Sequence, residues 1–200
     1  MRGGNGGALA CVRKWAVSVV AMKIVGQLSG FEADIAALEM QVKNAFRASR
    51  KALADDMRAC LQDHVYADVY DEFQPREYVR RRDSGGLSDM EANTTVFSDE
   101  GDGGMNLTLR YQPDGSRDGE GNEVPEAVSG NDLINRIEKR DPDYNWERKP
   151  KKRPFFHNFV EEMIEGRRAE NTLAAAMNAA DPTLEVVPDG DVTRESDDWR

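Results

Sequence analysis

The chain has 200 residues, with 37 acidic against 27 basic side chains and a formal net charge of -10, and its mean hydropathy is -0.70. That length suits one domain with a real core rather than two, and the low hydropathy assigns part of the chain to loops or tails. The negative charge disfavours a general nucleic-acid binder or a membrane-surface protein, because phosphate backbones and anionic headgroups attract the opposite sign.

Residues 1–21 contain GGNGG and no sustained period. The apolar run Trp15–Met22 follows Arg13 and Lys14 as a signal peptide would, but Lys23 interrupts it, no cleavage site follows, and it is too short to span a bilayer. Met22 opens MKIVGQL and is a candidate biological start, with residues 1–21 as an over-extended or flexible arm. A short strand is expected over Lys23–Leu28. Ser29 and Glu32 then form a capping box, a hydroxyl for an orphan amide and a carboxylate three residues on. A long helix follows. Phe31, Ile35, Leu38, Val42, Phe46, Leu53, Met57, Leu61 and Val65 recur at the spacing of one apolar stripe. Such a stripe packs on the domain's own core, and a sharper reading adds contacts to neighbouring subunits.

The segment Val65–Leu87 is the joint of the chain. Pro75 ends any helix by Gln74, since proline lacks an amide and restricts the residue before it. Tyr66, Tyr70, Phe73 and Tyr78 crowd this exit beside Arg76, Arg80, Arg81 and Arg82. Aromatic and basic residues interleaved in this way fit single-stranded nucleic acid. Asp68, Asp71, Glu72, Glu77 and Asp83 are mixed among them, which favours a bridging charge network instead. Ser84-Gly85-Gly86 is a turn, and beyond it the period shifts to two. Strands are expected over Thr94–Ser98 and Met105–Gln112, joined by an acidic glycine-rich loop, with Leu107, Leu109 and Tyr111 on one face.

The loop from Asp114 resembles a calcium loop only in part. Asp114, Ser116, Asp118 and Gly119 occupy suitable positions, but Pro125 stands where a bidentate glutamate belongs and no helix flanks it. A mobile acidic loop accounts for it better. A short helix is expected over Asn131–Lys139 with Leu133, Ile134 and Ile137 inward. After the basic run Arg148–Arg153, which includes Lys149, Lys151 and Lys152, a helix stripe resumes at Phe155, Phe156, Phe159, Val160, Met163 and Ile164. It is expected to run through Leu173 and Met177 and stop before Asp181-Pro182, with Gly166 weakening its middle. Residues 181–200 read as an acidic tail with a short strand at Leu184–Val187.

The chemistry-bearing residues are few. Cys11 and Cys60 are the two cysteines and do not indicate a disulfide framework, which suits the cytosol. His64 and His157 are the two histidines, and there is no CxxC, HExxH, phosphate loop or nucleophile elbow. His64 with Asp68, Asp71 and Glu72 can be drawn as a metal cluster for hydrolysis, and a solvated acidic face explains the same residues. The sequence therefore predicts a non-enzymatic protein without cofactor or metal.

MKIVGQLSGFEADIAALEMQV resembles the opening of the tail-completion or head-to-tail joining family of lambda-like siphophages. Members have a short strand, a long helix, then a proline and a Thr-Gly-Leu turn leading to a hairpin. Gln74-Pro75-Arg76-Glu77-Tyr78-Val79-Arg80-Arg81 and Ser84-Gly85-Gly86-Leu87 stand in that place. RPFFHNFVEEM, Arg153–Met163, is similar to the family's Arg-Pro-Phe entry to its last helix. The acidic insertion from Asp114 to Gly130 and the tail after Asp181 depart from the pattern. The resemblance implies an α+β fold over residues 22–180, with a long N-terminal helix and a C-terminal helix packed on a small antiparallel sheet. It implies a virion component at the neck or upper tail, assembled in the bacterial cytoplasm. There it would act as a homo-oligomeric ring, by tail symmetry a hexamer, with neck and tail-tube proteins as partners, DNA as passing cargo and no membrane. The interface candidates are Phe46, Leu53, Tyr70, Phe73, Tyr78, Arg80, Arg81, Arg82, Phe155 and Phe156. A nucleic-acid-binding regulator using Arg76–Arg82 and Arg148–Arg153 is the alternative, and a metal-dependent hydrolase a further one.

Overall fold

The apolar stripe of the long helix dictates what must be built around it. In the computed structural model, which describes residues 22–25, 31–71, 82, 84–101, 104–115, 123, 129–139 and 152–188, helix α1 spans Phe31–His64. Its stripe is buried from Ala45 onward through Phe46, Leu53, Ala54, Met57, Cys60 and Leu61, while Ile35 and Met40 stay exposed. The helix does not end at His64 but widens into a π-helical turn, Val65–Tyr70, closed by the Asp71 amide donating to the Tyr66 carbonyl at 2.9 Å. The five-residue hydrogen bond adds a residue to the turn, and Val65, Val69 and Tyr70 all reach the core.

Two helices cover α1. Helix α4, Phe155–Ile164, packs on the C-terminal part of α1 and on the π turn, and α5, Arg168–Ala180, runs along α1. The direction of α5 follows from its contacts. Its first residue meets Asp56, whereas Asp181, just past its end, meets Gln41, so α5 is antiparallel to α1. Ala169, Leu173, Ala174 and Met177 form its buried face, with the alanines supplying small contacts between helices.

Sequence periodicity predicts one continuous C-terminal helix, and the structure has two. The Glu165 and Gly166 amides both donate to the Glu161 carbonyl, and Arg167 adopts a left-handed φ of 57°. A Cβ on Gly166 would lie 2.5 Å from the Glu162 carbonyl oxygen, so only glycine fits this reversal.

The remaining elements are short. Strands β2, Thr94–Gly101, and β3, Gly104–Tyr111, form an antiparallel hairpin from Thr94↔Tyr111 to Gly101↔Gly104. Leu107, Leu109 and Tyr111 are buried as the alternation predicts, and Tyr111 joins Phe155, Phe156 and Phe159 in an aromatic cluster. Helix α2, Met90–Asn93, precedes the hairpin, with the Asp89 carboxylate accepting from the Ala92 and Gly85 amides. Helix α3, Gly130–Lys139, buries Ile134 and Ile137 and half-buries Leu133.

The fold is α+β, as expected, but the strands form two separate ribbons rather than one small sheet. Strand β1, Met22–Val25, pairs antiparallel with β4, Glu185–Pro188, well apart in sequence from the hairpin. Antiparallel α5 carries the chain back to the start of α1 and so delivers β4 to β1. The Asn178 side chain holds β4 by donating to the Val186 carbonyl at 3.0 Å and accepting from its amide at 2.8 Å. Strand β4, beyond residue 180, pairs with β1 and packs on α5. The calcium-like loop lies almost wholly outside the described residues.

Candidate functional site

A ladder of polar side chains runs along the seam where α1 meets α4 and α5. Asp56, Cys60, His64 and Asp68 follow one another at four-residue steps on α1 and its π turn, so they share one edge. Asn158 and Glu162 do the same on α4, and Arg168 and Thr172 on α5. The α4–α5 reversal at Gly166 brings Arg168, the first residue of α5, back against Glu162.

The contacts form one chain. Thr172 Oγ1 donates to Asp56 Oδ2 at 2.8 Å, and Arg168 grips the same carboxylate through Nε at 3.1 Å and its terminal nitrogen at 2.7 Å. The other terminal nitrogen of Arg168 donates to Glu162 Oε1 at 2.5 Å. Glu162 Oε2 lies 3.0 Å from His64 Nε2, and His64 Nδ1 lies 3.3 Å from Asp68 Oδ2. Asn158 donates to that same Asp68 oxygen at 3.0 Å. Cys60 sits inside this chain and is fully buried.

The electrostatics follow from this wiring. The hydrogen bonds from Arg168 hold the Asp56 carboxyl below the ordinary carboxylate range, with Thr172 adding to the effect against burial. They also lower Glu162, with His64 contributing. The two carboxylates in turn raise the Arg168 guanidinium. Burial pushes the Cys60 thiol up to about 12, against a smaller opposing pull from Arg168. The seam thus holds a fixed cation between two anions, with a neutral thiol and an imidazole beside them.

Of the residues singled out from sequence, His64 and Asp68 do meet. Asp71 is exposed and Glu72 falls outside the described residues. The sequence reading missed Cys60, Glu162 and Arg168 as members of one cluster. The four-residue step from Cys60 to His64 was visible, but nothing local signals a carboxylate 98 residues away.

The interface candidates divide differently than expected. Phe46, Leu53, Tyr70, Phe155 and Phe156 are core residues of the chain itself, because the helices and hairpin close over them. Their side chains pack within the chain and leave surface contacts to others. Arg82 is exposed in a left-handed conformation, φ 47°, and its carbonyl accepts from the Gly86 amide at 2.9 Å. Phe73, Tyr78, Arg80 and Arg81 lie outside the described residues. Of the second basic run, Lys152 is exposed and Arg153 is buried.

A family model described as YomN matches residues 34–179. The chain belongs to the YomN family. The family is phage-derived, which makes this YomN chain a phage-associated protein. No curated protein and no solved structure matches it. The matched span runs from the first turn of α1 almost to the end of α5, so every member of the polar ladder lies inside it and both strands of the β1–β4 ribbon lie outside. Among the described residues no helix is long and apolar enough to cross a membrane.

Proposed function

We propose that this YomN-family chain is a non-enzymatic component of the phage particle, a ring subunit at the neck or upper tail that completes the tail or joins it to the head. The observation that carries this reading is the apolar surface left over once the core is complete. Ile35 and Met40 in the first turns of α1 and Val187 on β4 are exposed, while Leu38 and Val42 are half-buried and the stripe is buried from Ala45 onward. Gln41 donates to Asp181 Oδ2 at 2.8 Å and to Thr183 Oγ1 at 2.5 Å, which gathers the start of α1 and the approach to β4 at one end of the molecule. A fourth exposed apolar side chain, Phe97, lies on the outer face of the hairpin opposite Thr108. Exposed apolar side chains on α1, on β4 and on the hairpin suit contact with neighbouring subunits, which a ring requires. The net charge of -10 favours passage of DNA through such a ring without adhesion, since like charge weakens phosphate contacts.

The test is size-exclusion chromatography with light scattering on the full chain, alone and mixed with the tail-tube protein of the same phage. A discrete ring, six subunits by tail symmetry, or a stable complex with the tube supports the reading. A chain that stays monomeric and ignores the tube, from a phage whose tails form normally without it, overturns it.

A further inference from the structure

The centre of the seam is built from residues that the virion reading does not use. We propose that Cys60, His64 and Glu162 form a binding site for one zinc-class divalent cation that clamps α4 to α1.

Three donors of different chemistry converge there. One sulfur, one imidazole nitrogen and one carboxylate oxygen lie within 4.8 Å of one another. In a tetrahedral zinc site the metal stands about 2.3 Å from sulfur and about 2.0–2.2 Å from nitrogen or oxygen, so its ligands are about 3.3–3.7 Å apart, and small side-chain rotations suffice. Cys60 and His64 come from one face of α1 at a four-residue step, and Glu162 comes from α4, so the cation would bridge two helices. A thiolate, an imidazole and a carboxylate together select a borderline ion such as Zn²⁺ or Co²⁺ over the hard ions Ca²⁺ and Mg²⁺.

The surroundings supply an independent pointer. His64 faces a carboxylate at each ring nitrogen, Asp68 at 3.3 Å and Glu162 at 3.0 Å. A neutral imidazole carries one N–H and can satisfy only one of them. The arrangement is satisfied by an imidazolium, or by a neutral ring that donates Nδ1–H to Asp68 and gives its Nε2 lone pair to a cation shared with Glu162. The second alternative is the carboxylate–histidine–metal relay that orients ligands around bound zinc. Arg168 completes the parallel by holding Glu162 through Oε1, which leaves Oε2, the oxygen beside His64, for the ion. Asn158 likewise fixes Asp68.

Charge and protons balance. The Cys60 thiol yields its proton to solvent on binding, any proton on His64 Nε2 leaves with it, and thiolate plus carboxylate neutralise the dication. Arg168 remains paired with Asp56 and adds no uncompensated charge. Glu162 is exposed and Cys60 is buried, so the ion would enter from the Glu162 side and keep water as its fourth ligand.

The experiment uses the full chain, stripped with a chelator and titrated with Co²⁺ and then Zn²⁺. The expected result is one Co²⁺ per chain with a thiolate-to-metal charge-transfer band, displaced by equimolar Zn²⁺, and a raised Tm. Cys60→Ser should abolish the band. Glu162→Gln, which keeps the size of an exposed side chain, should weaken binding at least about 10-fold. Asp68→Asn should weaken it by about 10- to 100-fold through the orientation of His64. Absence of stoichiometric binding, or Co²⁺ bound without a sulfur band and indifferent to Glu162→Gln, overturns the proposal.

Discussion

The two ends of α1 obey the same helical period and have opposite fates. From Ala45 to Leu61 the stripe is sealed by α4, α5 and the hairpin, whereas nearer its start Leu38 and Val42 are half-buried and Ile35 is exposed. The difference lies in the length of the partners. Helix α5 has 13 residues and α1 has 34, so an antiparallel partner of that length cannot cover the whole stripe. An apolar period therefore shows that a face is made for contact, and the length of what packs on it decides whether that contact lies inside the chain or beyond it.

The sharpest way to break the inner end is Phe155→Ala. Phe155 is fully buried between Tyr111 and Phe156, and its loss should cost about 3–5 kcal/mol in chemical denaturation. Next comes Gly166→Ala. The added methyl would meet the Glu162 carbonyl, and a cost of about 1–3 kcal/mol is expected, read as a lowered denaturation midpoint.

Arg168→Ala tests the polar side of the seam. It leaves Asp56 without its guanidinium partner and should cost about 1–2 kcal/mol near neutral pH. It should also change the acid response. Asp56 and Glu162 have lowered pKa values in the folded chain, so their contribution is present above the ordinary carboxylate range and fades as pH falls through the folded values. The native chain should lose stability on acidification below about pH 4, and the variant should show a shallower loss in a pH series of thermal melts.

The smallest effect on stability belongs to the outer end. Met40→Ser should move monomer stability by no more than about 0.5 kcal/mol, because the side chain is already exposed. The same substitution should weaken self-association in light scattering. If Met40→Ser instead unfolds the chain, the contrast between the two ends of α1 is wrong.

Much of the fold was legible because it is written in local periods. The long helix, the hairpin with Leu107, Leu109 and Tyr111 inward, α3 and the strand near Val187 all follow from spacings of two or three to four residues. What escaped depends on distance or on backbone detail. The π turn conserves the apolar pattern and is not distinguishable from α-helix by it, and the pairing of β1 with β4 is set by the path of α5. The candidate site was half legible. His64 and Asp68 are neighbours in sequence, but Glu162 and Arg168 reach them through the reversal at Gly166, whose glycine reads in sequence only as a weakened helix. Phe46, Leu53, Tyr70, Phe155 and Phe156, read from sequence as interface candidates, lie in the chain's own core. A stripe tells which residues seek burial, and not which molecule provides it.

The β1–β4 ribbon has a consequence for how the chain comes into being. Its strands are joined only after the whole matched region has been made, and α1 finds α5 only at nearly the same moment. Synthesis at about 5–20 residues per second leaves the α1 stripe unaccompanied for several seconds on the ribosome. Closing so long a loop costs conformational entropy before any contact repays it. Late closure therefore leaves apolar surface of α1 uncovered during synthesis until α4 and α5 have been made.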